Sequence, residues 1–243
     1  MTNSNSSQGT KVSVIVPTLN EVKNIGGCLE AVKNQTYKNV EIIVVDSYST
    51  DGTDKIARKY GEVIHTKKEG PGAARNAAVK KSTGDIVAFT DADTIVPPDW
   101  AGRISQNFSE DPKIIGVGGI LRPSSNRIRD DILFTLFHNI IFRIWAFIGF
   151  YAFSTTNCAY RKDAFLKVGG FNESISMIED NELAIKMEKI GKLKIDKELV
   201  VRVSIRRLKQ RGYIIVFLKY IKAYLCYFTR RPIRSKYFEI IEH

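Results

Sequence analysis

Apolar residues come in short β-branched runs, separated by stretches in which they recur at helical spacing. Val12–Val16 (VSVIV) reads as a buried strand, and Pro17, which cannot donate to a ladder, is expected to end it. Between Glu21 and Asn34 the apolar positions Ile25, Cys28, Leu29 and Val32 line one helical face. Glu41–Val45 (EIIVV) is a second strand ending at Asp46, and Asp51 or Ser49 can cap a helix running to about Tyr60. Glu62–His65 reads as a third strand, Pro71–Lys81 as a Gly/Ala-rich helix, and Ile86–Phe89 as a fourth strand running into Asp91-Ala92-Asp93. The second half is less regular. It predicts strands near Ile114–Gly118 and Phe153–Asn157, helices near Lys162–Val168 and Glu179–Lys189, and two apolar stretches, Ile132–Phe153 and Tyr213–Phe228.

Strands alternating with helices predict an α/β fold: a parallel sheet covered on both faces, with ligands at the carboxyl ends of the strands. Thr18, Asn20 and Glu21, then Asp46, Ser49 and Asp51, then Asp91 and Asp93 would all lie on that edge. Neither apolar stretch reads as a membrane-spanning helix. His138, Asn139 and Arg143 interrupt one, and Lys219 and Lys222 the other. Each suits a helix lying on a membrane or a core helix of a soluble domain.

Composition adds a question of partners. The 243 residues carry 37 Lys+Arg against 26 Asp+Glu, a formal net charge of +11, which calls for an anionic partner. The excess is local. Residues 1–200 hold 26 basic and 24 acidic side chains, whereas residues 201–243 hold 11 and 2. Cys28, Cys158 and Cys226 are too few and too scattered for a disulfide framework, and the polar MTNSNSSQGT lacks a signal-peptide core. The expected compartment is the cytoplasm.

Two nucleotide motifs are excluded: the turn VPTLNE after the first strand is not glycine-rich, and no GxxxxGK[ST] occurs. An acidic set takes their place. Asp91 and Asp93, one residue apart at a strand end, can both reach one hard divalent cation that bridges to a diphosphate. Asp46, Ser49 and Asp51 offer acceptors to a base and ribose. Arg75 and Asn76 add a guanidinium and an amide. Taken singly, each also suits a plain turn, cap or surface role.

The motifs in this order resemble the family 2 glycosyltransferases with the A-type (GT-A) fold. The likeness rests on Val14–Glu21, Ile43–Thr53, Gly72-Ala73-Ala74-Arg75-Asn76, Asp91-Ala92-Asp93, Asn157 with Arg161 and Gly169-Gly170-Phe171, and Glu179-Asp180. Tyr48 departs from it, in a place usually small or polar. The resemblance covers about Lys11 to Arg211. It implies a Rossmann-like, mostly parallel sheet flanked by helices over residues 11–211, after a disordered leader (1–10) and before a basic helical appendage (212–243).

The resemblance also implies an inverting hexosyltransferase using a nucleotide-diphospho-sugar, linked to uridine or guanosine. Pro17, Thr18, Asn20, Glu21, Asp46, Ser49, Asp51, Gly72, Arg75, Asn76, Asp91, Ala92 and Asp93 would bind the donor. Asp91 and Asp93 would hold Mg²⁺ or Mn²⁺, and Asp180 would be the general base. Arg122, Asn157, Arg161 and Glu179 would lie on the acceptor side. The QxxRW motif of processive members is missing from Ser204–Gly212, so one sugar per acceptor is expected. The basic tail and the apolar stretches point to a polyprenyl-phosphate or lipid-linked saccharide at an anionic membrane, with the enzyme peripheral on the inner face. One alternative is a soluble transferase acting on protein or oligosaccharide, its apolar stretch a core or homodimer surface. Another is a non-catalytic nucleic-acid- or membrane-binding protein. No nucleic-acid motif accompanies the tail, and no nucleic-acid partner is expected.

Overall fold

The computed structural model describes residues 9–67, 70–125, 127–147, 153–175 and 177–229, with 138–147 as backbone only. The first half follows the pattern just read: β1 (Val12–Thr18), α1 (Ile25–Lys33), β2 (Val40–Asp46), α2 (Thr53–Ala57), β3 (Glu62–His65), α3 (Pro71–Lys81) and β4 (Ile86–Phe89). There follow β5 (Thr94–Ile95), α4 (Trp100–Glu110), β6 (Ile114–Pro123), α5 (Ile128–Phe147), β7 (Cys158–Arg161), α6 (Lys162–Lys167), α7 (Glu179–Glu188), β8 (Lys192–Val203), α8 (Arg206–Arg211) and α9 (Tyr213–Phe228).

One sheet contains all eight strands in the order β3-β2-β1-β4-β7-β6-β8-β5. The strands β3, β2, β1 and β4 run parallel, as expected, and β6 is parallel to β8. Strand β7 is antiparallel to both neighbours, and β5 is antiparallel to β8, so the second half makes the sheet mixed.

Alternation along β1 explains the two-faced core. Val12, Val14 and Val16 join Leu29 of α1, Trp100 and Ile104 of α4, and Phe134 of α5 on one face. Ile15 and Val45 join Ala78 of α3, Phe165 of α6 and Leu183 of α7 on the other.

Three expectations shift. Strand β1 continues through Pro17 to Thr18. Ile15 is the last rung towards β4, and Thr18 O turns towards Ser47 N, so the proline nitrogen meets no ladder partner it could deprive. Helix α1 begins at Ile25 rather than Glu21, because the amides of Glu21 and Val22 are taken by Thr53 Oγ1 and Asp51 Oδ2. The strand expected at 153–157 lies instead at 158–161. Asn157 N bonds Ser154 O, and Thr156 N bonds Ser154 Oγ, closing the polar stretch into a turn.

The two apolar stretches form α5 and α9, which meet through Phe137, Tyr213 and Phe217. Residues 148–152 of the first lie outside the described set, as do 1–8 of the leader and 230–243 of the tail. Among the described residues no helix is long and apolar enough to cross a membrane.

Candidate active site

The order β2-β1-β4 places a switch point between β1 and β4, where chains leave to opposite sides and a crevice opens at the carboxyl edge. Register carries the motif residues there. Thr18 pairs with Asp46, Asp46 with His65, and Asp91 lies two residues past the end of β4.

The turns after β1 and β2 are latched together. Asn20, at a left-handed φ of 53°, gives its amide to Ser49 Oγ (2.9 Å) and accepts Thr50 N at Oδ1 (2.9 Å). Asp46 is buried, and its carboxylate accepts both Ser49 N (2.9 Å) and Ser49 Oγ (2.5 Å). Asp51 accepts Val22 N, Thr53 N and Thr53 Oγ1, which holds its carboxyl below the usual range although partial burial opposes. Ser49 and Asp51 thus build the frame of the crevice, and Thr18 Oγ1 is buried without a hydrogen-bond partner. His65 Nε2 lies 3.7 Å from Asp46 Oδ2 and 3.2 Å from Asp54 Oδ1. Ligand atoms of Asp46, Asp54 and His65 all fall within 4.8 Å of one another, a set able to hold a metal ion.

Around Asp91 four chain segments converge. Its carboxylate takes Arg75 Nη2 at 3.0 Å and Thr156 Oγ1 at 2.6 Å, and its carbonyl oxygen takes the Cys28 thiol. Arg75 also reaches Glu179 Oε1 at 3.3 Å, and its side chain is 5% exposed. Held between two carboxylates, Arg75 positions the acidic cluster. Asn76 is likewise a frame residue. Its amide bonds Phe171 O and Glu173, and its oxygen accepts Phe171 N. Gly72 lets the helix approach closely, since a Cβ there would sit 3.2 Å from Phe171 Cβ. Gly170, at φ 67°, leaves space that a Cβ would take from Asn76 Oδ1, 2.5 Å away. Ala92 is buried between the two aspartates of its motif.

Asp93 is the freer carboxylate of the pair. Burial first, then the Asp91 charge, push it up to about 6, with Glu21 adding and Arg207 and Arg206 opposing. Its neighbour Glu21 is bound by Arg206 and by Arg207 Nη2 at 3.4 Å, and Arg206 lies 3.8 Å from Asp93. The carboxylate oxygens of Asp93 and Asp91 are donors that suit a hard divalent cation. The residues present therefore fit Mg²⁺ or Mn²⁺.

Asp180 is the second residue of α7, which starts behind Ile178, whose φ is 60°. Burial and then the neighbouring Glu179 charge push Asp180 up to about 7, against hydrogen bonds from the amides of Asn181 and Thr155. Thr155 and Thr156 thereby tie Asp180 and Asp91 to one turn. Glu179 is buried on Arg75, and burial raises its carboxyl too.

Of the remaining acceptor-side residues, Asn157 and Arg161 have their polar groups taken up within the fold. Asn157 is fully buried, joining Trp100 Nε1 to the carbonyls of Ile120 and Leu199. Arg161 pairs in register with Ile86, at the far end of β4, and binds the carbonyls of Ile114 and Phe108. Arg122 is half-exposed on β6, beside Thr135 and Asp131 of α5.

Sequence reading did not single out Thr155, Thr156, Arg206 or Arg207 as site residues, and the paired arginines directly after β8 were the one visible signal. It also missed the contact of α9 with the site. Tyr224 accepts a hydrogen bond from Asn181, next to Asp180, and packs with Ile175, Met177 and Ile178.

The chain is similar to known proteins in sequence and fold. The family model for glycosyl transferase family 2 matches residues 13–169. The glycosyltransferase AglE of Haloferax volcanii is 42% identical over 101 residues, 38% of this chain and 33% of that protein. A glucosyl-dolichyl phosphate glucuronosyltransferase of the same organism is 25% identical over 175 residues, 67% of this chain and 56% of that protein. The mannosyltransferase PcManGT of Pyrobaculum calidifontis, solved with GDP-Man and Mn²⁺, superposes with a TM-score of 0.67 at 25% identity, covering 88% of this chain and 65% of that one. The matched segments thus span from a third to a little over half of these two curated relatives.

Proposed function

Because the chain belongs to glycosyl transferase family 2 and has the GT-A fold, we propose that it is an inverting glycosyltransferase. It moves one sugar from a nucleoside-diphosphate sugar to a lipid-linked acceptor, a polyprenyl phosphate or a saccharide carried on one, at an anionic membrane face. The observation that carries the reading is the convergence of Asp46, Asp91, Asp93 and Asp180 on one sheet edge from three separate segments.

The chain's own groups divide the work. Asp46 and the latched turns hold the nucleoside. Arg75 and Thr156 fix the Asp91 carboxylate, and Asp93 with Asp91 would hold Mg²⁺ or Mn²⁺. A bound cation supplies neutralisation of the charge developing on the leaving diphosphate. Asp180, near neutrality in its proton affinity, is matched to taking a proton from an acceptor hydroxyl at physiological pH. With a phosphate monoester acceptor, already ionised, it orients the nucleophile instead.

The membrane half rests on α9. Ile214, Leu218, Ile221, Leu225 and Phe228 recur at steps of three and four and are all exposed. Ile132, Leu133 and Leu136 of α5 are exposed too. Residues 201–229 hold seven basic side chains and no acidic one. An apolar stripe beside basic residues suits a helix lying in the interface, where each Lys or Arg near anionic lipid contributes about 1 kcal/mol.

The test has two arms. Nucleotide release is measured from UDP- and GDP-sugars with Mn²⁺, using undecaprenyl phosphate in detergent as acceptor, and no release from any donor would overturn the enzymatic reading. Co-sedimentation with phosphatidylglycerol vesicles reads the surface. Wild type should pellet and Leu218→Asp/Leu225→Asp should not; equal pelleting, or none by either, would remove the membrane half.

A further inference from the structure

The turn after β2 and the end of β3 form a wall beside Asp46. Tyr48 is 55% exposed and held at a left-handed φ of 59°. A non-glycine residue there costs about 1–2 kcal/mol, yet burial does not account for it. Its ring lies 5.6 Å from that of His65, tilted by 35°. Together the two rings form an aromatic wall beside Asp46.

The polar groups meeting this wall are acceptors. Asp46 Oδ2 and Asp54 Oδ1 lie 3.7 and 3.2 Å from His65 Nε2. Asp54 Oδ1 is buried and accepts no hydrogen bond, while Oδ2 of the same carboxylate holds Arg58. One unfilled acceptor and one shared acceptor therefore flank the aromatic surface.

Base chemistry distinguishes what can sit there. The Watson–Crick edge of guanine presents N1–H and an N2 amino group, donors placed side by side. That edge of uracil presents one N–H between two carbonyl oxygens, which would face carboxylates with no proton between them. A hydrogen bond to a charged group contributes about 1.5–3 kcal/mol, and leaving an acceptor unmet costs on the same scale. Stacking adds about 1–3 kcal/mol per base, and a purine covers a two-ring wall better than a pyrimidine.

We propose that Tyr48 and His65 stack a guanine base whose N1–H and N2–H groups are read by Asp46 and Asp54, so that the donor is a guanosine diphosphate sugar. This rests on the nucleotide-sugar reading above and names its donor class. Asp46 anchors any base. Tyr48 and Asp54 select this one.

Calorimetric titration of the full chain with GDP and with UDP, at fixed Mg²⁺, tests it. GDP should bind at least tenfold more tightly. Tyr48→Asn keeps a residue tolerant of the left-handed backbone, so folding is preserved; it should weaken GDP by roughly tenfold and UDP by less, the scale expected of one lost stack. Asp54→Asn should narrow the GDP-to-UDP ratio. Binding of UDP as tight as GDP, or an unchanged GDP affinity in Tyr48→Asn, would overturn the inference and leave the transferase reading standing. Binding of neither nucleotide would overturn both. Because Asp46, Asp54 and His65 could instead hold a metal, Mn²⁺ is also titrated without nucleotide. If His65→Ala abolishes that binding and removes GDP affinity only when Mn²⁺ is present, a metal site replaces the base-reading wall.

Discussion

Replacing Arg75 with Met removes the guanidinium that bridges Asp91 at 3.0 Å and Glu179 at 3.3 Å while keeping most of the side-chain volume. Glu179, 7% exposed at its side chain, is then left without its cation. Breaking a buried pair in this way costs about 3–5 kcal/mol when the remaining charge must stay. Glu179 has an escape, because it can take up a proton. At pH 7.5 that costs about 1.36 × (7.5 − 4.3), or roughly 4 kcal/mol, and at pH 5 roughly 1 kcal/mol. Protonation therefore sets a ceiling that falls with pH. Burial already raises the carboxyl in the wild type, so part of this cost is present before the mutation. The contribution of Asp91 is small, since its side chain is 34% exposed and solvent screens it.

The expected loss is about 2–4 kcal/mol at pH 7.5 and under about 1 kcal/mol at pH 5. The sign follows from linkage. A carboxyl whose folded pKa lies above its unfolded value leaves stability intact below the unfolded pKa and loses it as pH rises towards the folded one. Urea unfolding followed by circular dichroism at the two pH values measures the difference. In a chain of this size the melting temperature should fall by roughly 4–16 °C at pH 7.5. A loss equal at both pH values, or below about 0.5 kcal/mol at pH 7.5, would refute the ion-pair account.

Three further perturbations follow from the same geometry. With an acceptor hydroxyl, turnover should fall about tenfold per pH unit below about 7, as Asp180 protonates, and Asp180→Asn should lower it at least about 100-fold; with undecaprenyl phosphate the acid limb should be absent, and a steep limb there would contradict the orienting role. Asp93→Ala should abolish the dependence of nucleotide affinity on Mn²⁺ in calorimetry, and an unchanged metal dependence would remove Asp93 from the cation site. Gly170→Ala places a methyl 2.5 Å from Asn76 Oδ1 at φ 67°, which should destabilise the fold by about 2–4 kcal/mol in urea; a cost below about 1 kcal/mol would mean the turn relaxes freely.

Strands and helices were legible where one periodicity ruled. Val12–Val16, Glu41–Val45, Pro71–Lys81 and Ile86–Phe89 all lie within or match the observed elements. Legibility failed where two signals overlapped. Helix α4 buries Trp100, Ile104 and Phe108 four residues apart, yet it was not singled out in the sequence, where prolines and an aspartate just before it break the pattern. Strand β8 alternates lysines with Leu193 and Ile195, so charge hid a twelve-residue strand. At the site, residue type was readable and partner was not. Asn157 and Arg161 carry the right chemistry, yet their hydrogen bonds go to carbonyls of distant strands. Such pairings are set by tertiary register, which local sequence does not encode.

The latched turns after β1 and β2 bear on how a ligand is met. Asn20, Glu21, Val22 and Thr50 are fastened to Ser49, Asp51, Thr53 and one another before anything binds. A nucleoside arriving there orders little chain, so most of its contact energy is retained as affinity rather than spent on freezing a loop. Binding at this edge should be fast and close to rigid-body. The residues that make it so need never touch the ligand, and substitutions among them will weaken affinity by restoring freedom to the empty protein.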